Sequence, residues 1–542
     1  MSDPLRSKVR RAARFLRDAG VLENLRPFAG PGVARVVARG GLNVKTIHAV
    51  HARQVPERVA IVDARTALTY AEVDRALNRI ARALASIGIQ RGARIILCME
   101  NRAEYLLFWF AGFRSGVATV HASYRSTPEE LAYLADHSNA RAIVCSSKTA
   151  PAVRGLLELG HKLEVVVVDD VALTPRQHAY PDWARPFPDD LFEPGRDARG
   201  DNVVYTSGTT GKPKGAVRNF TNAGIFEISR IGERLPIRAG ERHLVVSPLY
   251  HSGAQAFVAM MTSLGASIYL REHFDPEDAL DALSRWCIHS VFMVPTMIQR
   301  VLDVEPEVDT RYPTPCLRAL VCGAAPFPDA LRRRAIDRFG AGNLFDFYGA
   351  TELGWITLIN GTEMLERPGS VGRPLSGHEL CIRDSAHREL PAGEVGTIWV
   401  RTEQTMEGYI NDSGDTDDPT NEGWITVDDL GFLDEDGYLY LAGRDRDMVI
   451  SGGVNIYPVE IEEVLCHHPD VRDVAVIGVP DPEWGEKLVG FVVGGAPVDE
   501  LERYGRERLA SFKVPREWVF VDELPRNPTG KVLKRELRER LH

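Results

Sequence analysis

Tyr205-Thr206-Ser207-Gly208-Thr209-Thr210-Gly211-Lys212-Pro213-Lys214-Gly215-Ala216-Val217 is the stretch on which the reading of this chain turns. Residues 202–205 before it are short, apolar and β-rich, and helical spacing resumes from Phe220. The stretch therefore reads as a long loop between a buried strand and a helix. Gly208, Gly211 and Gly215 let backbone amides face a common concavity. Thr206, Ser207, Thr209 and Thr210 add hydroxyl donors, and Lys212 and Lys214 add positive charge. Many small donors, little bulk and nearby cations are what a polyphosphate requires. The pattern is not that of the P-loop NTPases, because Pro213 follows Lys212 where Ser or Thr would stand and the glycine spacing differs.

Outward from this loop, short β-rich runs alternate with helical segments from residue 59 to 321. The runs fall at 59–62, 94–98, 142–145, 165–168, 244–247, 267–270, 291–294 and 319–322, with amphipathic stretches such as 70–87 and 128–138 between them. That alternation predicts α/β layers with largely parallel sheets, in which ligands bind at the loops following the strands. Two such loops are small-residue turns, Pro248-Leu249-Tyr250-His251-Ser252-Gly253 and Cys322-Gly323-Ala324-Ala325-Pro326. Beyond residue 370 the texture changes to short β runs with tight turns, which predicts a small β-rich subdomain. Gly443-Arg444-Asp445-Arg446-Asp447 is a charged knot before a new apolar strand and reads as a domain boundary.

At 542 residues the chain is too long for one core, and its 44% hydrophobic and 26% charged residues are ordinary for a globular protein. A net charge of −10 argues against nucleic acid as the main partner. Seven scattered cysteines without Cys-x-x-Cys spacing read as a reducing cytosol without structural zinc, and no apolar run approaches a membrane span. Residues 1–20 hold six basic side chains against two acids. Leu5, Val9, Ala12, Ala13 and Leu16 would form an apolar stripe on a helix. Such a helix would either lie on an anionic membrane surface or pack on the body of the protein. The expected location is cytoplasmic, with room for peripheral contact at the inner membrane face and for a homodimer.

Asp346-Phe347-Tyr348-Gly349-Ala350-Thr351-Glu352 joins a flat aromatic, a glycine and a carboxylate, a combination suited to a purine and a phosphate-bridging metal. Read alone it is equally an aromatic core strand leading into a capped helix. Trp424 to Gly431 ends in two acids, Asp428 and Asp429, and a glycine turn runs through Gly452 and Gly453. The last motif is Pro525-Arg526-Asn527-Pro528-Thr529-Gly530-Lys531. In this order the five patches closely resemble the adenylate-forming (AMP-binding) superfamily, which includes the acyl-CoA synthetases.

The resemblance implies an α/β fold with a large N-terminal domain at 1–443, built of two α/β layered subdomains plus a small β-rich subdomain. A hinge at 444–447 and a smaller α+β C-terminal lid domain at 448–542 would follow. It implies Thr206, Ser207, Gly208, Thr209, Thr210, Gly211, Lys212 and Lys214 on ATP phosphates, and Mg²⁺ on Thr206 and Glu352. The nucleotide would be held by Gly323, Ala324, Ala325, Pro326, Asp346, Phe347, Tyr348, Gly349 and Thr351, with Asp429 and Arg444 on the ribose side. Arg446 stands at the pivot where the family usually has Asp or Lys, and Asp428 where it usually has Gly. Lys531 would be the catalytic lysine, His251 and Gly253 would edge the acyl pocket, and Gly452 and Gly453 would line the channel for coenzyme A. The substrates implied are a carboxylic acid, ATP and CoA, the acid being a medium or long fatty acid. The helix following Gly253 carries no charge to meet an ammonium, which weighs against amino acids. The alternatives are an acyl-AMP ligase loading a carrier protein, a CoA ligase for an aryl or branched acid, and a non-enzymatic acyl-binding protein.

Overall fold

Val203 and Val204 are buried in the strand Asn202–Thr206, but the chain does not then run through an unbroken loop into a helix. It returns in a second strand, Lys214–Arg218, antiparallel to the first with Thr206 opposite Lys214 and Tyr205 opposite Gly215. The expected loop is thus the tip of a hairpin. Lys214 belongs to its returning arm, with its ammonium 5.3 Å from the Tyr409 ring centre. In the computed structural model the chain is described except for residues 1–3, 22–29, 175–176, 193–199, 207–212, 219–223, 305–310, 403–407, 411–415, 418–422, 445–446, 452–453, 483, 528–529 and 542. Two compact units are present, one formed by residues 1–293, 306–320 and 404–419, the other by 294–305, 321–403 and 420–542.

In the first unit, the hairpin is followed across one sheet by Ala118–His121, Arg94–Cys98, Ala142–Cys145, Glu164–Val167 and His178–Ala179, all parallel. Gly408–Ile410 adds an antiparallel strand beyond Lys214–Arg218. One face of these strands is covered by the helices Pro128–Ser138 and Ala150–Glu158, which pack over Ile96, Val120, Ile143 and Val203. A capping box sets the start of Pro128–Ser138, where Thr127 and Glu130 exchange hydrogen bonds. The same device starts Tyr70–Ser86 at Thr69 and Glu72. The unit also orders Ser290–Phe292, Arg242–Val245, Ser267–Leu270 and Val59–Val62 as parallel neighbours, edged by antiparallel Ala67–Thr69.

The helix Pro4–Asp18 buries Ala12 and Phe15 against Gly224–Gly232, and Ala19 just beyond it is buried too. A Cβ added at Gly232 would lie 2.0 Å from the Phe15 ring, and Arg11 pairs with Glu233 at 3.2 Å. Of the expected stripe, Ala12 is buried, Leu16 half-buried and Ala13 exposed, with the Phe15 ring turned inward instead; the side chains of Leu5 and Val9 lie outside the description. Cys287 and Cys316 form a disulfide, so the cysteines are not all free thiols. Among the described residues no helix is long and apolar enough to cross a membrane.

The second unit is antiparallel. Its strands run in the order Glu379–Arg383, Gly396–Arg401, Asp429–Leu433, Leu439–Arg444, Ser370–Pro374, Gly354–Asn360 and Leu344–Ala350. A further sheet takes Val454–Ile456, Val449–Ser451, Gly485–Gly494 and Val471–Asp481, with Glu517–Phe520 parallel to Gly485–Gly494. Pro458–Cys466 and Val498–Arg508 cover one face of it through Ile461, Leu465 and Leu501.

Several histidines in the first unit are withdrawn from water without a compensating anion, His121 and His243 most completely. Burial pulls His121 and His243 to about 3 and His51 to about 4, from an ordinary 6.5. Folded-state values below the unfolded value mean that their contribution is intact above pH 6.5 and is lost as pH falls from there. At pH 5, His121 and His243 should each have forfeited about 2 kcal/mol relative to pH 7. Melting curves should therefore show a clear drop in Tm between pH 7 and pH 5, and a flat profile would contradict the burial argument.

Candidate active site

A cavity of about 910 Å³ lies within the second unit, walled by Ala324, Ala325, Pro326, Tyr348, Gly349, Asp429 and Lys531. Its floor follows from close packing: a Cβ at Gly323 would fall 2.6 Å from the Phe347 ring, so only glycine lets the following turn approach that strand. Ala324 then takes φ +69°, a left-handed backbone that a non-glycine residue holds only under constraint. Tyr348 donates its hydroxyl to Asp429 Oδ2 at 2.9 Å, joining the aromatic motif to the acidic one. Asp429 is half-buried at the cavity, whereas Asp428 is exposed and does not line it.

The neighbours of Tyr348 have other partners. Phe347 stacks on Trp355 at 4.2 Å, and the Asp346 carboxylate, 3% exposed, is held by Arg332 at 2.9 Å. Burial raises Asp346 to about 6 even so, against the opposing pull of Arg332. Thr351 and Glu352 are half-buried in the turn between Leu344–Ala350 and Gly354–Asn360, where a capped helix start was the alternative.

Lys531 reaches the cavity from a tight turn closed by the Arg526–Val532 bridge. Its amide donates to Asn527 Oδ1 at 2.9 Å, and the Arg526 guanidinium binds the Gly530 carbonyl and Asp473. Gly530 is buried with φ +78°, and a Cβ there would sit 2.7 Å from Thr296 Oγ1. Backbone conformation and space both demand glycine before the lysine. The second nearby lysine, Lys534, is committed to Glu462 at 2.7 Å and to the Val476 carbonyl at 3.0 Å.

In the first unit, His251 stands at the N-cap position of the helix Ser252–Ser263 without a side-chain capping bond, and its buried Nε2 has no hydrogen-bond partner. Burial holds its pKa at about 4, so the ring is neutral at pH 7. A Cβ at Gly253 would lie 3.0 Å from the Phe292 ring. Ala254, Phe257, Val258 and Met261 are buried, with Phe257 stacked between His243 and Phe292, so most of this helix is core.

The turn before His251 is braced by residues that sequence reasoning passed over. Asn101 donates to the Ser247 carbonyl at 3.0 Å and accepts from the Leu249 amide at 2.8 Å. Gln255 donates to the Leu249 carbonyl at 2.8 Å and accepts from Asn202 at 2.7 Å. Asn202 in turn accepts from Trp109 Nε1 at 2.9 Å. A fully buried amide pair ties the phosphate-loop strand to the helix behind His251. The only sequence signal was an Asn at the head of an otherwise apolar run.

Ser207, Gly208, Thr209, Thr210, Gly211, Lys212, Arg446, Gly452 and Gly453 lie outside the described residues. Thr206 and Arg444 end strands, but their side chains are likewise outside the description. Among the described residues no group of three or more His, Cys, Asp or Glu could hold a metal ion. A lone carboxylate such as Glu352 fits Mg²⁺ only as an ion arriving on phosphate oxygens, the usual way this ion is bound beside nucleotides.

Mixed α/β layers, a small antiparallel subdomain and a lysine turned into a nucleotide-sized cavity are the features of acid-activating, adenylate-forming enzymes. Residues 49–410 match the AMP-binding enzyme family and 460–531 the AMP-binding enzyme C-terminal domain, so the chain belongs to this family. It is 34% identical to a feruloyl-CoA synthase of Amycolatopsis over 90% of this chain and 97% of that one. It is 31% identical to the long-chain-fatty-acid–CoA ligase FadD13 of Mycobacterium tuberculosis, over 87% and 93%. The o-succinylbenzoate CoA synthetase of Bacillus subtilis, solved with its acyl-adenylate intermediate, superposes with a TM-score of 0.78 at 29% identity, covering 91% and 98%. The chain is thus an AMP-forming ligase of the adenylate-forming kind, for which ATP and CoA are fitting substrates.

Proposed function

We propose that this enzyme adenylates a medium- or long-chain fatty acid, releasing pyrophosphate, and passes the acyl group to coenzyme A, releasing AMP. The observation that carries the reading is the convergence of Tyr348, Asp429 and Lys531 on one cavity, with Lys531 presented by a glycine that nothing else could replace. Tyr348 offers a face to the purine and Asp429 accepts the ribose hydroxyls. Lys531 neutralises charge where the acid's oxygen meets the α-phosphorus. The loop 206–214 supplies amides and cations for the departing pyrophosphate, and Glu352 and Thr206 would hold Mg²⁺, whose charge would offset that of the phosphates. The mixed anhydride so formed is open to a thiolate, and Gly452 and Gly453 leave room for the pantetheine arm. The uncharged helix Ser252–Ser263 supports an acid without an ammonium group.

A second reading, an aryl acid, is favoured by the 34% identity to a feruloyl-CoA synthase against 31% to the long-chain ligase. The Phe292 ring against Gly253 suits a flat substrate as well. Purified enzyme incubated with ATP, Mg²⁺, CoA and a panel of acids should form thioesters best with alkyl chains of eight or more carbons. Preference for cinnamates or benzoates would replace the fatty-acid reading with the aryl one. Acyl-AMP accumulating without thioester until a carrier protein is added would move the acceptor from CoA to that protein.

A further inference from the structure

The helix Asp329–Phe339 begins without a cap of its own: Pro328 stands at the N-cap, where it supplies no side-chain acceptor. An uncapped first turn leaves backbone N–H groups seeking a partner and carries a partial positive charge. The partner comes from 134 residues away. Glu463, on Pro458–Cys466, places Oε1 2.9 Å from the Asp329 amide. That carboxylate is half-buried among like charge, with Asp329 close by, and burial raises its pKa. Arg332 is the cation nearby, and its ion pairs are with Asp329 and Asp346 instead. A carboxylate desolvated for a single backbone amide is poor value as pure stabilisation. It makes sense as a contact that can be given up.

The helix bearing Glu463 belongs to the same C-terminal segment that presents Lys531, and both line the cavity. The second contact of that segment is Gly530 on Thr296. We propose that Glu463 acts as an external N-cap for the helix Asp329–Phe339, a positioning residue that seats Lys531 for adenylation and is released before thioester formation. This rests on the two-step reaction proposed above. The energetic logic is that of a helix cap: the Asp329 amide is satisfied by Glu463 in the arrangement seen here and by water once the contact is released, so the contact biases the segment without locking it.

The test separates the half-reactions. Glu463→Ala should lower acid-dependent pyrophosphate exchange about fivefold, the scale of losing one helix cap, while thioester formation from supplied acyl-AMP and CoA holds or rises. Glu463→Gln, whose amide oxygen still accepts the Asp329 N–H, should restore exchange to within about twofold. Hydrogen exchange at the Asp329 amide should quicken in the alanine variant and not in the glutamine one. Equal loss of both half-reactions, or unchanged exchange at that amide, would overturn the role. Wild-type enzyme that exchanges pyrophosphate with no acid would sink the activity reading instead, and the amide exchange would still decide whether the cap exists.

Discussion

Lys531→Ala should lower acyl-adenylate formation by at least about 10², while ATP binds within a few-fold of normal. The expectation follows from where charge changes. A carboxylate approaching the α-phosphorus brings two anions together, and negative charge grows on the phosphoryl oxygens as the bond forms. In the proposed binding mode, ATP in the ground state is held by residues 206–214 and, at its nucleoside end, by Tyr348 and Asp429, none of which the substitution touches. Removing Lys531 withdraws stabilisation that matters mainly in the transition state. A loss of 10² corresponds to about 2.7 kcal/mol, within what a single well-placed cation contributes to a transition state. The turn is suited to this: Gly530 lies close to Thr296 and the Lys531 amide is held by Asn527, so the backbone that carries the lysine at the cavity wall is fixed. Pyrophosphate exchange measured beside nucleotide binding by calorimetry checks the claim. Adenylation at the wild-type rate would remove Lys531 from the chemistry, and a matching loss of ATP affinity would make it a binding residue only. Thioester formation from supplied acyl-AMP should suffer far less.

Much of the first unit could be read directly, because strands buried on both faces are written as continuous apolar runs. The expected runs at 59–62, 94–98, 142–145 and 267–270 are the observed strands Val59–Val62, Arg94–Cys98, Ala142–Cys145 and Ser267–Leu270. Ala118–His121 escaped because Thr119 and His121 interrupt the apolar pattern; both are buried, and His121 is satisfied by Tyr105 and Asn202, partners far away in sequence. Lys214–Arg218 escaped because glycine and lysine hide a strand whose existence depends on pairing with Asn202–Thr206. The motifs assigned to the site stand out in the sequence because their pattern is local, a glycine beside an aromatic or a glycine before a lysine. What they pack against does not. Neither the hydrogen bond from Tyr348 to Asp429 nor the reach of Glu463 to Asp329 leaves a trace in spacing, since each joins elements brought together only by tertiary folding.

Arg332→Met is the substitution from which the largest loss of stability is expected, about 3 kcal/mol or more at neutral pH. Arg332 is 3% exposed, holds Asp346 at 2.9 Å and donates to the Ser370 carbonyl at 2.8 Å. Methionine fills much of the volume but leaves a buried carboxylate and a buried carbonyl without their partner. The ion pair itself need not be strongly stabilising, since taking both charges out of water offsets much of their attraction; the damage comes from removing one of the two. Asp346→Asn on the Arg332→Met background should therefore recover a substantial part of the loss by removing the orphaned charge. The pH dependence gives a second signature. Asp346 sits at about 6 in the folded protein against an ordinary 3.8, so the stability it contributes is greatest at low pH and declines as pH rises through 6. Without Arg332, which pulls this value down, the folded pKa climbs further and the decline extends upward. The gap in Tm between wild type and Arg332→Met should be smaller at pH 5, where Asp346 is largely protonated in both and the stranded Ser370 carbonyl is the main cost, and should widen by several degrees by pH 8. A gap independent of pH would mean that the cost is one of packing alone and that Asp346 is not the group left stranded.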